Sequence, residues 1–281
     1  MNKPKDSCIE RMFVLSQKNI LNTPSVEAEE LVSHGFSVSR VWVQSEQAAE
    51  DLKKPCGRYI TINTGPLDKL DNFEGACTCL VEQLQPLLAP FFGKSLCICG
   101  VGNRDLEFDS LGPETAKRIR PHMFEIFAPK SNFEKIEVIY PQPIGLTNVS
   151  IESFVSSLAS TMNAACVLTI DSCSCNEIES LCNNIHLTDT GVKISTTNAQ
   201  LCQSSLGMPV ISIGVPTAIG ASHLIKSEKN DSNLSLTPVY VAEAIQVASF
   251  TIACAVAQIA YPDLDYNDCK QCIGLFLNGI M

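Results

Sequence analysis

The stretch SLCICGVGNRDLEFDSLGP, Ser95–Pro113, constrains the fold more than any other part of the chain. An apolar run from Ser95 to Val101 breaks at Gly102. An acidic loop carrying Asp105, Glu107 and Asp109 follows, and Leu111-Gly112-Pro113 opens a helical segment. A proline early in a helix is harmless, because the N–H it lacks would be unpaired there. A short run that is apolar without alternation needs cover on both faces, as a central strand of an α/β sheet has. Ala165–Ile170 and Pro209–Gly214 (PVISIG) have the same character. A strand that ends in a polar loop before a helix places that loop at the carboxyl edge of a sheet, where clefts form.

The remaining chain supplies partners for such a sheet. Residues 36–44 and Arg58–Asn63 alternate apolar and polar, the pattern of half-buried strands. Ile136–Tyr140 and Ile185–Thr188 are short strand candidates. Helical spacing covers Glu46–Lys54, Phe73–Leu88, Gly112–Ile119, Ile151–Met162, Glu177–Cys182 and Val239–Ile259, with weaker helical stretches at Ile9–Leu21 and Val26–Val32. Residues 191–206 and 226–238 are polar and read as loops. Strands alternating with helices predict an α/β fold with a mostly parallel central sheet and helices on both faces. No repeat or linker divides the 281 residues, so one domain is expected. Within it, 1–34 reads as an N-terminal extension, 35–220 as the core and 239–281 as a C-terminal helical part.

Composition narrows the function classes. An apolar content of 45% opposes disorder, and a net charge of −10 with no Lys/Arg-rich run opposes direct nucleic-acid binding. The first residues, MNKPKDSCIERMF, contain no apolar segment of the secretory kind. Val239–Ala260 has the length of a membrane span, but it contains Glu243, Gln246 and Gln258. A charge is costly at that depth, so a buried amphipathic helix is expected and no membrane partner. Fourteen cysteines without a signal segment read as reduced thiols. Cys97 and Cys99 alternate on a strand and point to one face as small core residues. Cys269 and Cys272 form a CxxC with no second pair, so no zinc ribbon is expected.

The chemistry rests on carboxylates. Asp109 lies in the loop after one buried strand and Asp171 directly follows another. If those strands are neighbours, both acids share one sheet edge. Two carboxyls in one site resist double ionisation and tend to share a proton. One then activates water while the other donates to a carbonyl oxygen, which suffices for peptide hydrolysis without a metal or other cofactor. The competing reading is that each Asp is only a cap or turn former. Asp189-Thr190-Gly191 matches the Asp-Thr-Gly of β-rich aspartic proteases, but in an α/β chain it reads as turn chemistry. Asp189 could still line the edge that carries Asp171. His122, at the end of the helix after Asp109, could join these acids at a metal or simply answer a helix dipole. Gly100-Val101-Gly102 lacks a third glycine, and no HExxH, GxSxG or P-loop is present.

Taken together, several segments are similar in order and spacing to the germination proteases of endospore-forming bacteria. They are Cys56–Thr61, Gly102-Asn103-Arg104-Asp105 with Asp109–Pro113, and His122–Glu125. Thr169-Ile170-Asp171, Thr188–Gly191, Leu206–Val210 and Gly214–Thr217 complete the set. The resemblance runs from about Gly35 to Thr217. It implies a phosphorylase/hydrolase-like fold related to hydrogenase-maturation endopeptidases. It also implies an unusual aspartic endopeptidase, made as a zymogen and assembled as a homo-oligomer, a tetramer. Such an enzyme would degrade small acid-soluble spore proteins in the cytoplasm of the forespore or spore core. The family's two aspartates fall on Asp109 and Asp171, with Asn103, Asp105, His122 and Asp189 in binding or supporting positions. The family's Arg-Thr-Asp-Leu-Ala segment is not found. Pro143–Asn148, Ser172–Asn176 and Val192–Asn198 depart from its pattern. Two other readings stay open: a lapsed paralogue that binds spore proteins or a family subunit without cutting, and a metal-dependent maturation-type endopeptidase using Asp109, Asp171 and His122.

Overall fold

The structure is a computed structural model and describes residues 25–141, 149–194, 199–221 and 234–274. In chain order it contains β1 (Val26–Ser33), β2 (Phe36–Val43), α1 (Glu46–Leu52), β3 (Gly57–Asn63), α2 (Phe73–Leu88) and β4 (Ser95–Gly100). Next come α3 (Leu111–Arg118), α4 (Pro121–Phe127), β5 (Ile136–Ile139), α5 (Ile151–Thr161), β6 (Ala164–Cys175) and β7 (Asn184–Thr188). The rest are β8 (Val192–Lys193), β9 (Gln200–Leu201), α6 (Gln203–Leu206), β10 (Val210–Gly220), β11 (Ser235–Leu236), α7 (Val241–Ala260) and α8 (Tyr266–Ile273). The expected helix at Ile9–Leu21, the departing stretch Pro143–Asn148 and most of the 226–238 loop lie outside the described residues.

The strands form one mixed sheet in the order β1-β2-β3-β7-β10-β6-β4-β5, with β11 added on β10. β10, β6, β4 and β5 are parallel neighbours, which is the expected α/β core. The other half is antiparallel, from β1 through β7 onto β10. Val26–Ser33 corrects the reading of a helix there. Its Glu, Ala and Leu residues favour helix, but the whole segment pairs with β2 across a tight turn in which His34 and Gly35 both take positive φ. That turn matches the twist of a hairpin, and cross-strand pairing outweighs local propensity. The sheet therefore begins at Val26, inside the expected N-terminal extension.

Alternation sorts the side chains onto two covered faces. Leu96, Ile98, Leu168, Ile170, Ile211 and Ile213 pack with residues of α2, α3, α7 and α8. Cys97, Cys99, Val167 and Val210 point the other way, against Val155 and Ala159 of α5 and Leu206 of α6. A separate patch on that second face joins Val41, Val43 and Tyr59 to Ala48 of α1. Helix α7 is long and apolar enough to span a membrane, but 78% of its most apolar window is buried in the fold. Its polar Ser249 and Gln246 accept hydrogen bonds from the Arg118 guanidinium of α3. It is the buried core helix expected. Every described cysteine is a free thiol, and Cys269 and Cys272 are buried on α8.

Two strands run further than their apolar patterns suggest. β6 continues past Asp171 to Cys175, and β10 past Gly214 to Gly220, because the two pair in parallel as far as Cys175 and Ile219. A register shift beside Pro216 lets a residue without an N–H sit in a central strand. The 191–206 segment is not all loop: β8 and β9 pair as a short ladder, and α6 follows.

Candidate active site

The two acids come together because β4 and β6 are adjacent. Cys99 pairs with Thr169 and Gly100 with Ile170, so the loop leaving β4 starts beside Asp171. Two glycines let the following helix sit directly on these strands. A side-chain carbon at Gly112 would come within 3.0 Å of backbone atoms of Val101 and Ile170, and one at Gly100 would strike the Gly112 carbonyl. The first N–H of α3 lies 3.4 Å from the Ser172 hydroxyl.

The loop is folded back by its own backbone. Gly102 has φ +130, and a side chain there would collide with the Asp109 carbonyl, so this position requires glycine on both counts. The Asn103 N–H donates to the Asp109 carbonyl oxygen at 3.0 Å and to its carboxylate Oδ2 at 3.0 Å. The Asn103 side chain in turn accepts from the Asp105 N–H at 2.9 Å. Asn103 thus supports Asp109 through its backbone, and Asp105 is an exposed turn residue. From the other side, the buried Thr217 hydroxyl of β10 donates to the Phe108 carbonyl at 2.6 Å. Removing that donor leaves a carbonyl unpaired, so Thr217→Val should cost roughly 1–3 kcal/mol. An unchanged urea midpoint would show that the loop does not depend on this bond.

Asp171 sits mid-strand, 5% exposed. This corrects its placement at a strand end, and the continued pairing of β6 with β10 explains the burial. Burial raises its carboxyl well above the usual range, and the charge of Asp109 pushes in the same direction. Asp109 is also raised by burial, against the lowering effect of the Asn103 N–H. Burial and the Asp109 charge thus both favour the protonated form of Asp171, the deeper of the two acids.

Asp189 is elsewhere. β7 runs antiparallel to β10, with His186 opposite Gly214 and Thr188 opposite Ser212. Beyond Thr188 the chain therefore heads for the amino ends of β6 and β10, away from the Asp109 loop. There Asp189 accepts from the Arg58 N–H at 2.7 Å and secures the start of β3. His122 is exposed in the first turn of α4, a helix separate from α3, so it does not end the helix after Asp109. Among the described residues, no three His, Cys, Asp or Glu side chains are grouped as a metal site requires. A cavity of about 470 Å³ lies away from the acids, on β1–β3, and includes Glu29, Arg40, Trp42 and Arg58 in its lining. Its arginines are already engaged: Arg40 pairs with Glu29, and Arg58 lies over the Trp42 ring.

One group near Asp171 escaped the sequence reading. Gly214, opposite Asp171, pairs on its other side with His186, which pairs with Thr61, which pairs with Ser39. The alternation in RYITIN and NIHLT was the available signal. Only the strand order puts these segments in one row.

The chain matches the family model described as germination protease over residues 7–234. A germination protease of Clostridium tetani is 27% identical over 233 residues, covering 79% of this chain and 72% of that protein. One from Caldanaerobacter subterraneus is 27% identical over 209 residues, covering 70% and 64%. One from Priestia megaterium is 26% identical over 213 residues, covering 70% and 56%. Against the latter two the match spans less than two thirds of the relative. Among solved structures, a NiFe hydrogenase maturation protease from Thermococcus kodakarensis is 16% identical. That match covers 63% of this chain and 97% of the other, with a TM-score of 0.37.

Proposed function

The chain belongs to the germination protease family, and from that premise we propose that it is an aspartate-dependent endopeptidase acting on small acid-soluble spore proteins. The observation that carries this reading is the buried Asp171 on the strand beside the Asp109 loop, with the Asp109 charge opposing its ionisation. In the proposed reaction Asp109, held by the Asn103 N–H, takes a proton from water. Asp171, the acid that burial keeps protonated, donates to the scissile carbonyl oxygen. The water oxygen adds to the carbonyl carbon, and the C–N bond breaks as the amine takes up a proton. Assembly as a homo-oligomer, zymogen processing and residence in the spore belong to the same proposal.

A second reading, binding without cleavage, draws on the departures at Ser172–Asn176 beside Asp171. One experiment separates the two. Purified protein is incubated with a small acid-soluble spore protein, with and without chelator, alongside Asp109→Asn. Defined fragments that persist in chelator and fall roughly a hundredfold to ten-thousandfold in the variant are expected. Cleavage undiminished in Asp109→Asn rejects the aspartate mechanism. Capture of the spore protein without fragments supports the binding reading.

A further inference from the structure

We propose that His186 is a substrate-positioning residue of the Asp109–Asp171 centre, facing Asp171 across a slot whose floor is Gly214. The proposal deepens the endopeptidase reading and rests on it. Asp171, Gly214, His186, Thr61 and Ser39 stand opposite one another on five successive strands, β6, β10, β7, β3 and β2. Residues opposite each other in a sheet share a face. The row is polar or small throughout, whereas the next row, on the other face, has Ile170, Ile213, Leu187 and Ile60. The next row on its own face, toward the amino ends of β6 and β10, runs through Thr169, Ser212, Thr188 and Tyr59, with Cys99 of one apolar patch at one end and Val41 of the other beyond Tyr59. A polar strip along the border of a covered face has the form of a cleft floor.

The accessibility pattern agrees. From Val210 to Ile219 every residue of β10 is buried except Gly214, and His186 is likewise only partly covered. Nothing in the backbone demands glycine at 214. Its φ is not positive, and an added side-chain carbon would find the Cys173 sulfur at 3.4 Å with no backbone atom nearer than 3.9 Å. With glycine there, β10 places no side chain between Asp171 and His186, and the Cys173 sulfur borders the gap. Two strand spacings, about 10 Å, separate the backbones of Asp171 and His186. Both side chains rise from the same face of the sheet, on either side of a residue that has none.

His186 is prepared for that contact. Its Nδ1 is 2.9 Å from the Thr61 hydroxyl, which fixes the ring and leaves Nε2 as its remaining hydrogen-bonding atom. Burial and the nearby Lys54 charge lower its pKa to about 4, so the ring is neutral at neutral pH. When the Thr61 hydroxyl donates to Nδ1, the Nε2–H can donate to a substrate carbonyl, a contact that holds the peptide without moving a proton.

The test uses the full chain and a small acid-soluble spore protein as probe. Affinity is measured in the non-cleaving Asp171→Asn background, and KM and kcat in the otherwise native chain. His186→Ala is expected to weaken binding and raise KM about tenfold, the worth of a lost hydrogen bond with its partner stranded, with kcat falling less. His186→Gln, which restores an amide donor, should recover most of the loss. Gly214→Val, which fills the slot, should weaken binding at least as much. If Asp171→Asn stops cleavage but affinity and KM are unchanged in His186→Ala, His186→Gln and Gly214→Val, the positioning role is wrong and the endopeptidase reading stands. If Asp171→Asn cleaves as fast as the native chain, or neither form binds the probe, both fall. Should His186→Ala not fold, the Gln and Gly214 variants decide by the same criteria.

Discussion

Replacing Asp171 with Asn is expected to abolish peptide hydrolysis and, at neutral pH, to make the fold more stable. The catalytic loss follows from the proposed role. A positioned acid contributes roughly a hundredfold to ten-thousandfold, and an amide has no proton to give. The stability gain follows from linkage. Burial and the Asp109 charge raise the Asp171 carboxyl in the folded chain. In the unfolded chain it titrates near the ordinary value, about 3.9. A raised group contributes its full stability below that unfolded value and loses it as pH rises toward the folded one. At pH 7 the native chain therefore carries a penalty that the Asn variant lacks. Thermal melts should show the variant more stable at pH 7, by about 2–4 °C per kcal/mol relieved, with the gap closing below about pH 4. A variant that melts lower at pH 7, or a gap independent of pH, would mean that the Asp171 carboxylate is satisfied by contacts rather than strained by burial.

Replacing Gly112 with Ala should be the most damaging small substitution in the site's framework. The added methyl would lie within 3.0 Å of three backbone atoms, the Val101 carbonyl and N–H and the Ile170 carbonyl. A flexible side chain can turn aside, but strand backbone cannot. The clash can be relieved only by lifting α3 from β4 and β6. That helix buries Leu111, Pro113, Thr115 and Ala116, so lifting it also breaks apolar contacts. Overpacking costs about 1–3 kcal/mol when side chains can yield, and more is expected here. Cleavage should fall too, because the Asp109 loop runs straight into this helix. Gly214→Ala is the control: its methyl meets a sulfur at 3.4 Å, ordinary contact, and should shift the urea midpoint little. Equal midpoints for Gly112→Ala and the native chain would show that the helix seat is looser than its geometry.

Much of this fold was legible in the residues because period and length carry the information. Phe73–Leu88 matches its helix to the residue, and β2, β3, β4 and β5 lie where alternation or apolar runs place them. Val26–Ser33 was misread because its composition favours helix, and only its pairing partner makes it a strand. Pairing across strands is not written in the pattern of either one. The same limit explains the site. Asp109 and Asp171 could be named from loop and strand positions. Asp189 was misplaced because the direction of β7, antiparallel within the sheet, cannot be read from NIHLT. His122 was set at the wrong helix end because the break between α3 and α4 is a feature of the backbone rather than of its apolar spacing.

The sequence by itself determined the α/β class, the buried helix that is not a membrane span, and the two acids worth testing. Those follow from local hydrophobic period and from the cost of placing charge in apolar surroundings. The tertiary structure alone decided that Asp171 is buried mid-strand and that Gly100 and Gly112 seat a helix on two strands. It alone placed His186 two strands from Asp171 across a glycine. Strand order and direction are set by how the faces of the whole sheet can be covered at once, and no single segment contains that condition.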